Sequence, residues 1–317
     1  MKKHHIYTIF SFVLLCAFYL STVKSFAQQD PQYTQYMYNT QVVNPGYVGT
    51  RDVFSFSGLY RAQWVGIEGA PKNVTLTGNA PVGYSNVGLG MSVIRDEIGP
   101  SLHTYLTADV SYTIRVSDDA QLAFGVKGGG SLLDIDFTKL NIEDQGDLFD
   151  RNIDNRFSPQ IGAGAYYFTD RFYAGVSVPN FLETEHFNTD SIEDETAESV
   201  GKDRMHYFFI SGYVFDISPD TKFKPAVMTK FVRGAPLQVD ISTNFLFFDK
   251  LTLGAAYRWS AAFSGLVGFQ LSESMFLGFA YDTDTTIIRA YNKGSYEFFL
   301  RYEIFRKQEK VYSPRFF

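Results

Sequence analysis

From residue 53 onward, apolar and polar residues alternate with a period of two, in runs of about ten residues. In one such run Leu102 and Leu106 fall on one phase, while His103 and Asp109 fall on the other. A strand places successive side chains on opposite faces, so the pattern predicts strands with one apolar and one polar face. After residue 27 no run of apolar residues reaches the roughly 18 that a membrane-spanning helix requires.

The runs have the length of a tilted strand that crosses a bilayer, about 9–11 residues. We predict about fourteen strands, near residues 53–62, 72–81, 86–95, 101–115, 119–135, 156–168, 171–178, 204–217, 221–232, 236–248, 250–259, 261–271, 274–282 and 295–305. Large soluble sandwiches also contain strands of this length, so strand length alone does not identify the architecture.

The lengths of the connections distinguish the two architectures. Counted from the N-terminus, the even-numbered connections are tight, and the long ones all carry odd numbers, at 63–71, 136–155, 179–203 and 283–294. In an antiparallel barrel all odd-numbered connections lie at one end, and bacterial outer-membrane barrels have short periplasmic turns and long extracellular loops. We therefore predict an all-β transmembrane antiparallel β-barrel in the cell outer membrane, with about 14 strands and both termini in the periplasm.

Single residues refine the predicted wall. Pro225 lacks a ladder donor, so we expect a bulge or kink near it in strand 221–232. We expect aromatic residues at strand ends to lie at the level of the lipid headgroups, namely Tyr257, Trp259, Tyr281 and Tyr302. We interpret the glycines inside predicted strands as bends of the wall; they include Gly128, Gly129, Gly130, Gly162, Gly164, Gly175 and Gly254.

The first 27 residues have the layout of a cleaved secretory signal peptide. Lys2 and Lys3 precede the apolar stretch 6–20, and small residues two apart, Ser25 and Ala27, end the segment. The rival interpretation, a retained anchor helix, is weaker because the stretch is shorter than the roughly 20 residues of a spanning helix. We therefore expect the chain to be exported.

The inventory of reactive side chains does not favour catalysis. Cys16, the only cysteine, lies in the predicted signal peptide, and His103, His186 and His206 have no spacing that would cluster them as metal ligands. His103 falls on the inward phase of its strand, whereas His206 falls at a strand start on the apolar phase, which we expect to face lipid. The net charge of −6 argues against nucleic acid as a partner. We therefore expect no enzymatic activity, no cofactor and no metal site, which makes a lipid-modifying enzyme a poor alternative.

Acidic residues concentrate in two predicted loops, 141–154 and 183–203. These loops suit a Ca²⁺ site or a docking surface for a secreted partner, or they are simply solvated. They lack regular ligand spacing with a bend-forming glycine, so we favour solvated loops over calcium binding. We interpret residues 282–284 in the same way.

The two ends of the exported chain are unusually aromatic for periplasmic tails. The N-terminal stretch 30–49 and the C-terminal stretch 313–317 are both rich in Tyr or Phe. We expect each to enter the lumen as a plug or to bind a periplasmic protein.

Several short motifs together resemble the PorP/SprF family of outer-membrane proteins, which is tied to type IX secretion and gliding motility in Bacteroidota. The residues that carry the resemblance, and that we take as plug or partner contacts, are Gln32, Tyr33, Gln35, Tyr36, Asn44, Pro45, Arg61, Gln63, Trp64, Pro314, Arg315 and Phe316. Further matching residues are Met37, Val43, Gly49, Tyr60, Asp96, Ile98, Gly99, Pro100, Tyr296, Glu297, Leu300, Arg301, Tyr302 and Ser313. The family usually has Ala after Asn-Pro, where this chain has Gly46.

The resemblance implies a non-enzymatic barrel that assists secretion and cell-surface anchoring of a type IX cargo, such as a gliding adhesin, through the C-terminal domain of that cargo. It also implies a periplasmic peptidoglycan-binding protein as a second partner, besides the lipid bilayer. An outer-membrane channel or transporter for small hydrophobic molecules stays open as an alternative. We divide the chain into a signal peptide (1–27), an N-terminal periplasmic or plug segment (28–52), the β-barrel (53–305) and a C-terminal periplasmic tail (306–317).

Overall fold

The computed structural model describes residues 32–83, 85–139, 152–183 and 204–305. The predicted signal peptide, most of both acidic loops and the C-terminal tail lie outside these residues. Within them, the chain forms the predicted transmembrane barrel of 14 strands.

Each strand coincides closely with a predicted one. The strands are β1 (Phe54–Ala62), β2 (Lys72–Pro81), β3 (Val87–Ile98), β4 (Ser101–Arg115), β5 (Gln121–Ile135), β6 (Ile153–Phe168), β7 (Phe172–Val178), β8 (His206–Tyr213, continued as Phe215–Ser218), β9 (Thr221–Val232), β10 (Gln238–Phe247), β11 (Leu251–Arg258), β12 (Ala262–Ser272), β13 (Met275–Asp284) and β14 (Ser295–Ile304). Helical segments within the described residues are short: α1 (Thr40–Val43) and three 3₁₀ turns, Pro45–Tyr47, Phe137–Lys139 and Ile287–Ala290.

The sheet closes on itself. Every strand pairs antiparallel with the next one in sequence, and β1 pairs with β14 from Phe54 opposite Ile304 to Ala62 opposite Tyr296. Closure follows from the solvent, because hydrocarbon offers no partners to the backbone groups of a free sheet edge. Among the described residues, no helix is both long and apolar enough to span a membrane.

The closed sheet has two ends with different connections. One end, which we call the short-turn end, carries connections such as 116–120, 169–171 and 248–250. The other, which we call the long-loop end, carries 63–71, 136–152, 179–205 and 285–294, together with shorter connections such as 233–237. The long connections therefore all lie at one end of the barrel, as their odd numbers in the sequence predicted.

The faces of the wall are inverted relative to a soluble protein. On β4 and β5, Leu106 and Val126 are more than half exposed on the outer face, whereas Asp109, Ser111 and Lys127 are buried inside. An apolar exterior against lipid and a polar interior are typical of outer-membrane barrels. Of the predicted headgroup aromatics, Tyr281 faces outward near the long-loop end and Tyr302 near the short-turn end.

The position of His206 corrects the sequence interpretation, which put this residue on the apolar phase of its strand. His206 is buried inside the barrel, whereas Tyr207 and Phe209 face outward. The inward residues that follow, Phe208 and Ile210, are also apolar. Both phases of this strand are apolar, so alternation could not distinguish its two faces.

The irregularity expected at Pro225 lies mainly in the neighbouring strand. Pro225 pairs with Thr243 of β10, but on its other side β8 is interrupted at Val214. The Val214 N–H donates to the Arg171 carbonyl at 2.8 Å, on the side of β8 that faces β7. Pro225 therefore lies one residue from a break in the ladder, a position at which a strand tolerates proline.

A charge on the outer face should destabilise the barrel far more than the same charge at a turn. We expect Leu106→Arg to lower the free energy of unfolding in lipid vesicles by about 2–4 kcal/mol, because it puts a guanidinium near the middle of the bilayer. Ser117→Arg, in the short turn after β4, is the control and should change it by less than about 0.5 kcal/mol. Equal values for the two variants would contradict the assignment of the outer face to lipid.

Candidate functional site

The lumen of the barrel is occupied by the chain's own N-terminal residues. We call residues 32–52 the lumen segment; its side chains are almost all buried between Tyr33 and Thr50. The aromatic residues of this segment, among them Tyr36, Tyr38 and Tyr47, form one cluster with inward-facing residues of the wall. The interior of the barrel is thus a packed core.

The first described residue of the lumen segment lies at the opposite end from the one at which both termini were predicted; residues 28–31, the predicted start of the exported chain, lie outside the described residues. Gln32 lines a cavity together with Trp64 and Thr286, which belong to the long-loop end. Nineteen residues later, Arg51 donates to Glu303, close to the last residue of β14 at the short-turn end. The lumen segment therefore runs the length of the lumen before β1 begins.

A buried cluster of charges holds the lumen segment near the long-loop end. The Glu297 carboxylate accepts hydrogen bonds from the backbone N–H groups of Thr34 at 2.9 Å and Gln35 at 2.7 Å. Arg61 forms ion pairs with Glu297 at 3.1 Å and with Asp282 at 2.7 Å. The Thr34 hydroxyl donates to Asp282 and accepts from Arg61. We call Arg61, Asp282 and Glu297 the carboxylate clamp.

The carboxylate clamp contains two acids and one cation, so Arg61 alone does not balance its formal charge. Charge-assisted hydrogen bonds from backbone N–H groups stabilise a buried carboxylate, and here the lumen segment supplies them. Asp282 was interpreted from the sequence as part of a solvated acidic stretch. That interpretation is wrong for Asp282, which is 3% exposed and paired with Arg61.

A second polar cluster holds the middle of the lumen segment. The Gln41 side chain donates to Asp109 at 3.2 Å and accepts from Asn79 at 2.9 Å. Lys127 pairs with Asp109 at 3.3 Å, and its ammonium also donates to the carbonyl of Val42 at 3.2 Å. Wall charges at this level therefore recognise both a side chain and the main chain of the segment.

Asn44 fixes a turn and fastens it to the wall. Its side-chain oxygen accepts from the Gly46 N–H at 2.9 Å, which caps the 3₁₀ turn Pro45–Tyr47. Its amide nitrogen donates to the Ala165 carbonyl of β6 at 3.1 Å. One asparagine thus satisfies a local turn and a long-range contact together.

Glycines of the wall make room for this turn. A β-carbon at Gly164 or Gly175 would overlap the Asn44 side chain, and one at Gly125 would overlap the main chain of Pro45. Gly164 and Gly175 were interpreted from the sequence as bends of the wall. The structure gives them a different role, which is to let the lumen segment approach the wall closely.

Near the short-turn end, Gly49 has a φ of +76°. A β-carbon there would lie 2.7 Å from the Cα of Gly88 on β3, so both the dihedral angle and the contact require glycine. The hydroxyl of Ser111 donates to the preceding carbonyl, that of Val48, at 2.5 Å. These contacts guide the chain out of the lumen toward β1.

A cavity of about 660 Å³ opens above Gln32 at the long-loop end, and we call it the mouth cavity. Its walls include Gln63, Trp64, Trp259 and Leu237 from separate connections or strand ends. Trp64 has a φ of +49°, which bulky residues seldom adopt. The indole N–H of Trp64 donates to Asp284 at 3.2 Å, and Val65 and Lys293 join the two flanking loops by backbone hydrogen bonds.

The structure places the predicted site residues that it describes along the lumen, from the mouth cavity to the middle turn of the lumen segment. Gln32, Gln63 and Trp64 line the mouth cavity, and Arg61 belongs to the carboxylate clamp. The remaining ones lie in the lumen segment: Tyr33 contacts Thr75, Gln35 contacts Glu297, Tyr36 contacts Ser242, Asn44 contacts Ala165 and Pro45 packs on Gly125. Pro314, Arg315 and Phe316 lie outside the described residues.

Sequence reasoning missed the wall residues that hold the lumen segment, chiefly Asp109, Lys127 and Asp282. The available signal was that charged residues occur on the inward phase of several strands, where they need partners. The described ranges hold no group of three or more His, Cys, Asp and Glu side chains that could bind a metal ion. His103, for example, lies beside the Tyr105 hydroxyl at 3.0 Å.

These features define an outer-membrane β-barrel whose lumen is crossed by its own N-terminal segment. The family described as "Type IX secretion system membrane protein PorP/SprF" matches residues 25–302. The chain belongs to this family, as its motifs suggested. The comparison with curated proteins gives no match.

Among solved structures the chain is similar to several bacterial barrels. The monoaromatic hydrocarbon channel CymD has a TM-score of 0.50 at 9% identity, with 87% of this chain and 94% of CymD covered. The outer-membrane protein Omp33 of Acinetobacter baumannii has a TM-score of 0.47 at 10% identity, with 80% and 99% covered. A FadL homologue of Pseudomonas aeruginosa has a TM-score of 0.45 at 12% identity, with 88% and 96% covered. At this identity the CymD similarity shows the fold alone.

Adding one methyl group to the wall should loosen the lumen segment. We expect Gly125→Ala to displace the segment, because the new β-carbon overlaps Pro45, at a cost of about 1–3 kcal/mol. Arg51 is the only Lys or Arg between residues 28 and 53, so trypsin cleavage after Arg51 in detergent reports release. The cleavage rate should rise by about tenfold or more.

The control for this variant lies on the same strand. A β-carbon at Gly128 would meet no heavy atom within 4 Å, so Gly128→Ala should be cleaved at the parental rate. If Gly125→Ala is also cleaved at the parental rate, the close contact between Pro45 and β5 does not hold the segment.

Proposed function

We propose that this protein is a non-enzymatic outer-membrane component of type IX secretion that assists export and surface anchoring of a secreted cargo. The long-loop end faces the cell exterior and receives the C-terminal domain of the cargo, for example that of a gliding adhesin. The chain reaches the periplasm by its N-terminal signal peptide. Family membership and the sorting of the connections to the two ends support this orientation.

The observation that carries the proposal is the occupied lumen. Buried ion pairs, main-chain hydrogen bonds and an aromatic cluster hold residues 32–52 inside the barrel. A lumen fixed in this way suits a rigid anchor better than a conduit for solutes. The mouth cavity and the long loops remain available to a partner on the outer side.

The short-turn end is the side from which a periplasmic partner would bind. A cavity of about 330 Å³ opens there, lined by residues such as Thr50, Asp52, Asn86 and Arg115. A peptidoglycan-binding protein docked at this end would connect the surface cargo to the cell wall. The C-terminal tail 306–317 is a further contact in this proposal, and it lies outside the described residues.

A second candidate function is the transport of small hydrophobic molecules. A cavity of about 80 Å³ lies between the lumen segment and the wall, and apolar residues such as Val42, Ile94 and Phe208 line part of it. Conductance and liposome-swelling measurements on the purified barrel discriminate between the two functions. Steady solute flux supports transport, whereas a silent barrel that co-purifies with a large secreted protein supports anchoring.

Replacing the loop 183–203 with a short Gly-Ser linker should reduce the amount of cargo retained on the cell surface several-fold, measured by labelling intact cells. The acidic residues of this loop supply the contact in our proposal. The control replaces Asp118 and Asp119 by Ser in a short turn at the opposite end, and retention there should match the parent. Unchanged retention after the loop replacement, with normal barrel levels, would remove this loop from the docking surface.

A further inference from the structure

The mouth cavity continues a groove that already holds a peptide. Below it, the wall binds the main chain of the lumen segment at three consecutive residues. Glu297 accepts from the N–H groups of Thr34 and Gln35, and Arg258 donates to the carbonyl of Tyr33 at 3.4 Å. The next residue, Gln32, forms part of the cavity lining. The wall at this level therefore has donors and acceptors that recognise a peptide main chain, here at a bend centred on Thr34.

The charges around the mouth cavity largely satisfy one another. Arg61 is paired with Asp282 and Glu297, and Arg258 is paired with Asp240 at 2.6 Å. A ligand with a strong net charge would compete with these pairs. Neutral groups that both donate and accept remain at the surface of the cavity, including the side chains of Gln63, Asn73 and Gln238.

The rim of the cavity is rigid on the side of β1 and β14. The Trp64 N–H donates to the hydroxyl of Ser295, and its indole donates to Asp284. Backbone strain of the kind seen at Trp64 persists only where surrounding contacts fix it, and it is frequent at ligand sites. A preformed rim lowers the entropic cost of binding.

We propose that the mouth cavity binds a short peptide with uncharged polar and aromatic side chains. Its volume of about 660 Å³ lies within the roughly 300–1,000 Å³ typical of ligand sites. Aromatic side chains of the peptide pack near Trp64, and its amides bond to the neutral side chains of the lining. One part of this inference rests on the proposed function, namely that the peptide belongs to the secreted cargo.

The two tryptophans of the chain provide a direct readout. Trp64 and Trp259 are the only tryptophans, and both line the mouth cavity. The purified full chain in detergent is titrated with acetyl-Gln-Tyr-Thr-Gln-amide, which has the side chains that the groove accepts at residues 32–35, while tryptophan is excited selectively. We expect a saturable change of fluorescence.

Gln63→Ala removes one amide from the lining and should weaken peptide binding by up to about tenfold. Tyr291→Ala is the matched control, because Tyr291 is 72% exposed at the same end but does not line the cavity. It should bind the peptide like the parent. Equal weakening in both variants, or in neither, would overturn the assignment of the peptide to this cavity.

The same titration with maltohexaose tests an oligosaccharide as the occupant. Saturation by maltohexaose with no response to the peptide would overturn the peptide proposal. The experiment is repeated with a chain that begins at Gln32 and so lacks the preceding residues. If neither this chain nor the full chain responds to the peptide, the peptide proposal is also overturned. If the peptide fails while replacement of 183–203 still releases cargo, this inference is wrong and the proposed function stands.

Discussion

The contact on which the structure most depends is that between Glu297 and the backbone N–H groups of Thr34 and Gln35. Glu297 is fully buried in the lumen wall beside Asp282, and Arg61 is the cation that pairs with both. Buried carboxylates are costly unless hydrogen bonds satisfy them. The lumen segment supplies those bonds, so the wall and the segment stabilise each other. A polar lumen thereby becomes a packed interior.

The need to satisfy buried polar groups also explains how a small set of contacts orients the 21 residues of the lumen segment. Charges bind the lumen segment near the long-loop end, Asn44 fastens its middle turn, and Gly49 lets it pass β3 on the way out. Between these points Tyr38 packs against Phe276 and Phe299, with ring centroids 4.9 and 5.3 Å apart. Polar contacts fix the direction of the segment, and aromatic burial fills the volume that remains.

The barrel itself could be predicted from the sequence, because alternation and connection length follow directly from strand geometry and lipid solvent. The path of the lumen segment could not. Its contacts join residues as far apart as Gln35 and Glu297, and no local pattern reports such pairings. From the sequence, Gly164 and Gly175 were interpreted as bends of the wall. Their role depends instead on a close contact with Asn44, more than a hundred residues earlier. His206 was misplaced because both faces of its strand are apolar.

Labelling of single cysteines tests most directly whether residues 32–52 cross the lumen from one end to the other. Cys16 is the only natural cysteine and lies in the predicted signal peptide, so Gln32→Cys and Asp52→Cys each introduce one reactive thiol into the exported chain. With a membrane-impermeant maleimide on intact cells, we expect Gln32→Cys to be labelled and Asp52→Cys to be labelled only after the outer membrane is permeabilised. Labelling of both thiols from the same side would contradict this account.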